Sequence, residues 1–191
     1  VTFSTTAQVL FDFNFSTEKA ALKLAVSAAP YLNGLTYTGM ALDLARTALI
    51  NNASSGYNSN RGISVIVVTD GQTTEEPAVL IAATTAIKSK AAYVYAIGAG
   101  QEISLPELNL IATDSTHVSN VSSVFDLNNQ SLITTVVSSS CVVAPPCVSD
   151  VVFVLDSSNS LGSDNWQRVK QLAADVADRF TISQAATRFV D

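Results

Sequence analysis

Asp150-Val-Val-Phe-Val-Leu155, followed at once by Asp156-Ser157-Ser158-Asn159-Ser160, is the stretch that decides the fold class. The apolar run Val151–Leu155, rich in β-branched residues, reads as a strand buried on both faces of a parallel sheet. The loop after it leads into a helix from Trp166 to Phe180, with Val169, Leu172, Val176 and Phe180 on one stripe. Working outward, the same unit recurs. Ile63-Ser-Val-Ile-Val-Val68 is a second buried strand, followed by Thr69-Asp70-Gly71 and a helix over 77–90 with Pro77 in its first turn. Tyr93-Val-Tyr-Ala-Ile97 is a third, ended by Gly98 and Gly100. A short helix near 105–112, a weak strand near 116–118 and a helix near 128–137 follow. Upstream, Val1–Ser4 and Ala7–Phe13 read as a hairpin. Ser16 then caps a helix with Ala20, Ala21, Leu24 and Ala28 on one face, and Gly39–Leu49 forms another helix aligning Leu42, Ala45 and Leu49. Strands alternating with helices predict a doubly wound α/β fold, with a mostly parallel central sheet, helices on both sides and one antiparallel edge strand.

Composition narrows the function. The chain has 191 residues, enough for one domain, and only 14% are charged, where about 25% is usual. Its 41 Ser and Thr fill much of that gap. A net charge of −6 excludes a strongly basic nucleic-acid binder, and 48% hydrophobic residues exclude disorder. No apolar run approaches the roughly 20 residues that insert across a membrane.

Cys141-Val-Val-Ala-Pro-Pro-Cys147 breaks the strand–helix alternation as a linker does. Residues 1–140 lack an opening strand–helix unit, and residues 148–191 are one such unit plus the start of a strand. Thr187–Asp191 read on into Val1–Ser4 makes a single strand. The expectation is one domain's worth of material in rotated order: one period of a tandem array, a permutant, or the tail of one domain joined to the head of the next.

Three loops carry the chemistry. Asp156, Ser158 and Ser160 alternate, so an extended loop aims three oxygens at one point, beyond the carboxyl end of a strand where open sheets bind ligands. Asp70 ends a second strand, and Leu35-Thr36-Tyr37-Thr38-Gly39 is a hydroxyl-rich entry to a helix. With these residues, and with Val67-Val-Thr-Asp-Gly-Gln72 and Tyr95-Ala-Ile-Gly-Ala-Gly100 around them, the chain resembles the von Willebrand factor type A domains. The likeness is to the extracellular-matrix type of matrilins and collagen VI, in rotated order. The family's metal-ion-dependent adhesion site is Asp-x-Ser-x-Ser, a loop Thr, and the Asp of Thr-Asp-Gly; Asp156, Ser158, Ser160, Thr36 and Asp70 fill those places. The resemblance implies Thr36 joining the metal directly in the ligand-bound state and Asp70 acting through water.

Carboxylate and hydroxyl oxygens suit Mg²⁺, with Mn²⁺ or Ca²⁺ as alternatives. Mg²⁺ takes about six oxygens at roughly 2.0–2.1 Å, more than these residues supply, so a position stays open for a partner's carboxylate. The expected partner is therefore an extracellular protein with an exposed Asp or Glu, collagen-like or another such repeat, with no nucleic acid and no membrane insertion. The competing function is a structural repeat of a matrix filament, stapled by metal and disulfide.

Without the other positions, Asp-Ser-Ser and Thr-Asp-Gly would be ordinary caps and turns. Enzyme readings lack parts. His117 is the only histidine and reads as a surface or edge residue far from Ser158, which leaves no Ser–His–Asp set. A phosphotransferase reading of Asp156 lacks a second Asp where Ser158 stands, and Gly98-Ala-Gly100 lacks the third glycine of a dinucleotide loop. Cys141 and Cys147, the only cysteines, suit an oxidising compartment and a secreted, matrix or cell-surface location. They would pair with each other in a permuted chain, or between the two ends of one domain in an array. Asn14, Asn52, Asn120 and Asn129 head glycosylation sequons, slightly more than the Ser and Thr content alone would produce. Trp166 reads as core.

Overall fold

The run read first lies at the heart of the sheet. The structure, a computed structural model, describes residues 1–140, 149–182 and 188–190. Its strands are β1 (Thr2–Phe3), β2 (Ala7–Gln8), β3 (Gly62–Thr69), β4 (Tyr93–Ala99), β5 (Val118–Val121), β6 (Ser149–Asp156) and β7 (Arg188–Val190). Its helices are α1 (Lys19–Ser27), α2 (Thr38–Leu44), α3 (Pro77–Lys88), α4 (Leu105–Ile111), α5 (Gln130–Ser139) and α6 (Ser163–Arg179). The sheet runs β2-β1-β6-β3-β4-β5, with β7 also paired to β6. Every pairing is parallel except β1 with β2, so the antiparallel strand stands at the edge.

All eight residues of β6 are buried, and their alternation builds both halves of the core. Val151, Phe153 and Leu155 face a layer holding Leu22 and Val26 of α1, Ile133 and Val136 of α5, and Trp166, Val169 and Leu172 of α6. Val152 and Val154 face Leu42 of α2, Leu80 and Ile87 of α3, and Leu108 of α4. Each fully buried side chain of this size contributes about 1.5–3 kcal/mol. Trp166 sits within the first layer, its indole N–H donating to the Ala29 carbonyl at 3.1 Å.

One edge of β6 is covered by both ends of the sequence. Arg188–Val190 pairs with Asp150–Val152, and Thr2–Phe3 pairs with Leu155–Asp156. Only Phe153 and Val154 separate these pairings. Only Asp191 and Val1 stand between Val190 and Thr2 when the sequence is read from its last residue to its first. The Val1 amino group donates to the Phe153 carbonyl at 2.6 Å, and the Leu155 N–H donates to the Val1 carbonyl at 2.8 Å.

Several local expectations shift. Helix α1 begins at Lys19, because Ser16 uses its hydroxyl in a local turn, accepting from the Glu18 N–H at 3.0 Å. The buried face of α1 is Leu22 with Val26, which removes more apolar area from water than an alanine stripe, and Leu24 is left 72% exposed. The second helix turns wider than an α-helix over Ala45–Ile50 while still burying Leu42, Ala45 and Leu49. Ser115–His117 forms a tight turn whose first N–H groups are capped by Asp114, so β5 starts at Val118. His117 stands beside the edge strand β5 but is only 9% exposed. Its ring stacks on Tyr93, and its Nδ1 lies 2.9 Å from Asp114 Oδ1.

Candidate metal centre at the carboxyl edge of the sheet

β6 delivers Asp156 to the carboxyl edge in a fully buried position. Its Oδ1 accepts the Ser158 N–H at 2.8 Å, and its Oδ2 accepts the Thr69 hydroxyl at 2.7 Å from the end of β3. The extended loop then alternates. Ser157 turns inward, donating to the Phe3 carbonyl at 3.0 Å, while the Ser158 and Ser160 hydroxyls meet at 2.9 Å. Ser160 donates to Asp70 Oδ1 at 3.0 Å, which brings the two strand-end carboxylates into one hydrogen-bonded cluster. Three bonds anchor the loop from outside. The Tyr31 hydroxyl donates to the Ser158 carbonyl, the Asn33 N–H to the Ser157 carbonyl, and the Asn159 N–H to the Gly34 carbonyl. Asn33 takes a left-handed φ of 53°, a conformation asparagine tolerates better than most residues.

Thr36 is placed by a neighbouring loop. Its carbonyl accepts the Thr74 N–H at 2.8 Å and the Thr73 hydroxyl at 3.0 Å. With Gly71, Asn159 and Ser160 it lines a cleft of about 600 Å³, whose rim carries Leu35 and Glu102. Thus Asp156, Ser158, Ser160 and Asp70 are linked by hydrogen bonds, and Thr36 lines the cleft that Ser160 also lines.

The electrostatics follow from burial. Asp70 is pushed up to about 6, chiefly by desolvation and then by the nearby Asp156 charge, with the Ser160 hydrogen bond opposing. Desolvation also raises Asp156, against the pull of the Ser158 and Thr69 hydrogen bonds. A buried carboxylate and a half-buried one joined in the same cluster cost free energy while both are ionised, and a cation between them would relieve that cost. The donor set is two carboxylates and three hydroxyls, all hard oxygens. Among the described residues no cluster of three or more His, Cys, Asp or Glu offers an alternative site.

Two supporting residues escaped the sequence. Glu75 accepts the Gly39 N–H at 2.5 Å and the Met40 N–H at 3.0 Å, capping α2, which has no capping side chain of its own. Its partners lie more than thirty residues away, so no local pattern announces it. Glu107 holds the Thr73 N–H with both oxygens at 3.0 Å. Ser104-Leu-Pro-Glu107 has the capping-box spacing, which was its available signal. Burial raises Glu107, with Asp156 and Glu75 adding to the effect.

Cys141 and Cys147 lie outside the described residues. Asn14, Asn120 and Asn129 are exposed; Asn52 is half-buried and donates to the Ala48 carbonyl at 3.1 Å. Among the described residues no helix is long and apolar enough to cross a membrane.

The chain is similar to the collagen alpha-5(VI) chains of Mus musculus, at 27% identity over 188 residues, and of Homo sapiens, at 25% over 191. It spans 95% and 98% of its own length in these matches but only 7% of each collagen chain. Among solved structures it resembles proximal thread matrix protein 1 from the mussel byssus with a zinc-occupied MIDAS motif, at 27% identity and a TM-score of 0.64. A second crystal form of that protein gives 26% and 0.66. The chain covers 98% of itself and about half of the mussel protein in both. The family model for the von Willebrand factor type A domain matches residues 1–133 and 150–190, and the chain belongs to that family.

Proposed function

We propose that this chain is an extracellular-matrix module that docks an acidic residue of a partner protein through a divalent cation. Asp156, Ser158, Ser160 and Thr36 would hold the cation directly and Asp70 through water. A cation bound there supplies an electrophilic position that a partner carboxylate can fill. The observation that carries this reading is the joined cluster of Asp156, Ser158, Ser160 and Asp70, with Asp70 pushed up to about 6 beside the buried Asp156 carboxylate. Oxygen donors favour Mg²⁺, with Mn²⁺ or Ca²⁺ also suited, and the zinc-occupied motif of the mussel protein makes Zn²⁺ a competitor. The chain's own residues do the positioning: Thr69 and the Ser158 N–H orient Asp156, Thr73 and Thr74 hold the Thr36 loop, and the cleft beside Leu35 admits the partner. The collagen VI and thread-matrix relatives support a secreted setting, in which Cys141 and Cys147 form a disulfide and the sequon asparagines are candidates for glycosylation.

Isothermal titration with Mg²⁺ and Mn²⁺ tests the metal. Wild type should give heat and a thermal shift that Asp156→Ala loses, and an unresponsive wild type overturns the reading. Binding to matrix proteins should vanish in EDTA. A second reading, supported by the collagen VI and thread-matrix relatives, is a structural repeat whose metal and disulfide stabilise an assembly.

A further inference from the structure

The loop that carries Ser158 and Ser160 is braced by a strap, residues 31–35. The half-buried Tyr31 is its main tie. The Tyr31 hydroxyl donates to the Ser158 carbonyl at 3.0 Å and reaches the Asn159 carbonyl at 3.5 Å, and a backbone hydrogen bond from Gly162 comes to the phenol oxygen. One side chain thus grips the loop both at Ser158 and where it enters α6. Burial raises the phenol, the Gly162 hydrogen bond opposes, and the Asp70 and Asp156 charges add to the rise, as befits a ring beside the cluster. The strap's backbone adds two bonds, from the Asn33 N–H to the Ser157 carbonyl at 3.0 Å and from the Asn159 N–H to the Gly34 carbonyl at 2.8 Å. On its far side the strap rests on the turn between β1 and β2. The Leu35 N–H donates to the Thr5 hydroxyl at 2.8 Å, and a Cβ on Gly34 would stand 2.4 Å from that oxygen. The strap therefore has little room to back away from the loop.

Bracing of this kind decides which cation a cage of oxygens prefers. Mg²⁺ demands near-octahedral geometry at roughly 2.0–2.1 Å, so oxygens on neighbouring corners stand about 2.9 Å apart. The Ser158 and Ser160 hydroxyls stand 2.9 Å apart. Ca²⁺ takes about 6–8 oxygens at roughly 2.3–2.6 Å in flexible arrangements, so a cage that cannot widen disfavours it. We propose that Tyr31 is a positioning residue that sets cation selectivity: by bracing the loop through the Ser158 carbonyl, it holds the cage to the size of Mg²⁺ and against Ca²⁺. This role rests on the cation site proposed above.

The test compares the full-length wild type with Tyr31→Phe, which keeps the ring and removes only the hydroxyl. Isothermal titration gives the Mg²⁺ and Ca²⁺ affinities of both, and urea melts give their stability in EDTA. Wild type should prefer Mg²⁺. Tyr31→Phe should lose about tenfold in Mg²⁺ affinity and less than about threefold in Ca²⁺ affinity, so the ratio of the two falls by about threefold or more. A merely structural tyrosine would lower the EDTA stability and leave that ratio where it was. An unchanged ratio therefore overturns the proposal, whether both affinities fall alike or neither falls. A wild type that binds Ca²⁺ as tightly as Mg²⁺ overturns it too. A wild type that binds neither cation overturns the metal reading itself, and this role with it. Should Tyr31→Phe fail to fold, Gly34→Ala, which forces the strap off the Thr5 hydroxyl, decides by the same ratio.

Discussion

In a Glu75→Ala variant the Gly39 and Met40 amides lose the carboxylate that now accepts both, at 2.5 and 3.0 Å. The Gly39 amide lies in a buried residue and Met40 is half-buried, so water replaces the lost acceptor only in part. A lost cap costs about 0.5–2 kcal/mol, and a hydrogen bond to a charged group about 1.5–3 kcal/mol. Because one amide can rehydrate, the sum settles near 2–3 kcal/mol, including about 0.3–1 kcal/mol from the helix dipole. For a domain of this length that lowers Tm by roughly 5–10 °C. The same substitution loosens the Thr36 loop, because the Glu75 carboxylate also touches the Thr73 hydroxyl that donates to the Thr36 carbonyl. Loss of such an outer support lowers metal affinity by about tenfold or more. Urea melts followed by circular dichroism, run in EDTA and in saturating Mg²⁺, measure both effects. Glu75→Gln, which keeps an acceptor but not the charge, should fall between wild type and the alanine variant. A stability loss under about 0.5 kcal/mol, or a glutamine variant no better than alanine, would refute the remote-cap argument.

Three further expectations follow from the same geometry. Asp70 is raised from 3.8 to about 6 in the folded chain, so the stability it contributes in EDTA is full below about pH 4 and is lost as pH rises through about 6; Asp70→Asn should flatten that slope, and an unchanged slope in urea melts contradicts the assignment. Gly98→Ala would place a Cβ 2.6 Å from Leu108 Cδ1 and 3.1 Å from Ile103 Cδ1, costing about 1–3 kcal/mol, and a double variant with Leu108→Ala should be less damaged than the two losses summed; simple additivity would show that the close approach is not the cause. Trp166→Phe leaves the Ala29 carbonyl without its indole donor and a gap in the α1–α5–α6 layer, for a loss of about 2–3 kcal/mol by chemical denaturation; a loss below about 1 kcal/mol would mean the layer refills the space.

The buried strands were legible because doubly covered strands are written in nearly continuous apolar letters, and Asp156, Ser158 and Ser160 because alternation in an extended loop is a local rule. Asp70 was legible from its place at a strand end. Thr36 was singled out in the sequence by its family likeness, since what holds it, Thr73 and Thr74, is distant in the chain. Glu75 was invisible for the same reason. The face of α1 was misread because alanines and leucines share helical spacings, and only the partner surface of α6 decides which stripe is buried. His117 gave no sign of its burial, which depends on the ring of Tyr93 across the β4–β5 ladder. Asp150, at the head of the strand read first, is fully buried beside Arg61 at 2.7 Å, an ion pair that no local pattern foretells.

β6 is hydrogen bonded on one side along Ser149–Leu155 and on the other by the two short strands from the ends of the sequence. A pull along its axis would load these parallel ladders in shear, many bonds together, instead of opening them one at a time. The domain should therefore be stiffest along the strand that ends in Asp156, so that a load applied at the carboxyl edge passes straight into its most resistant direction.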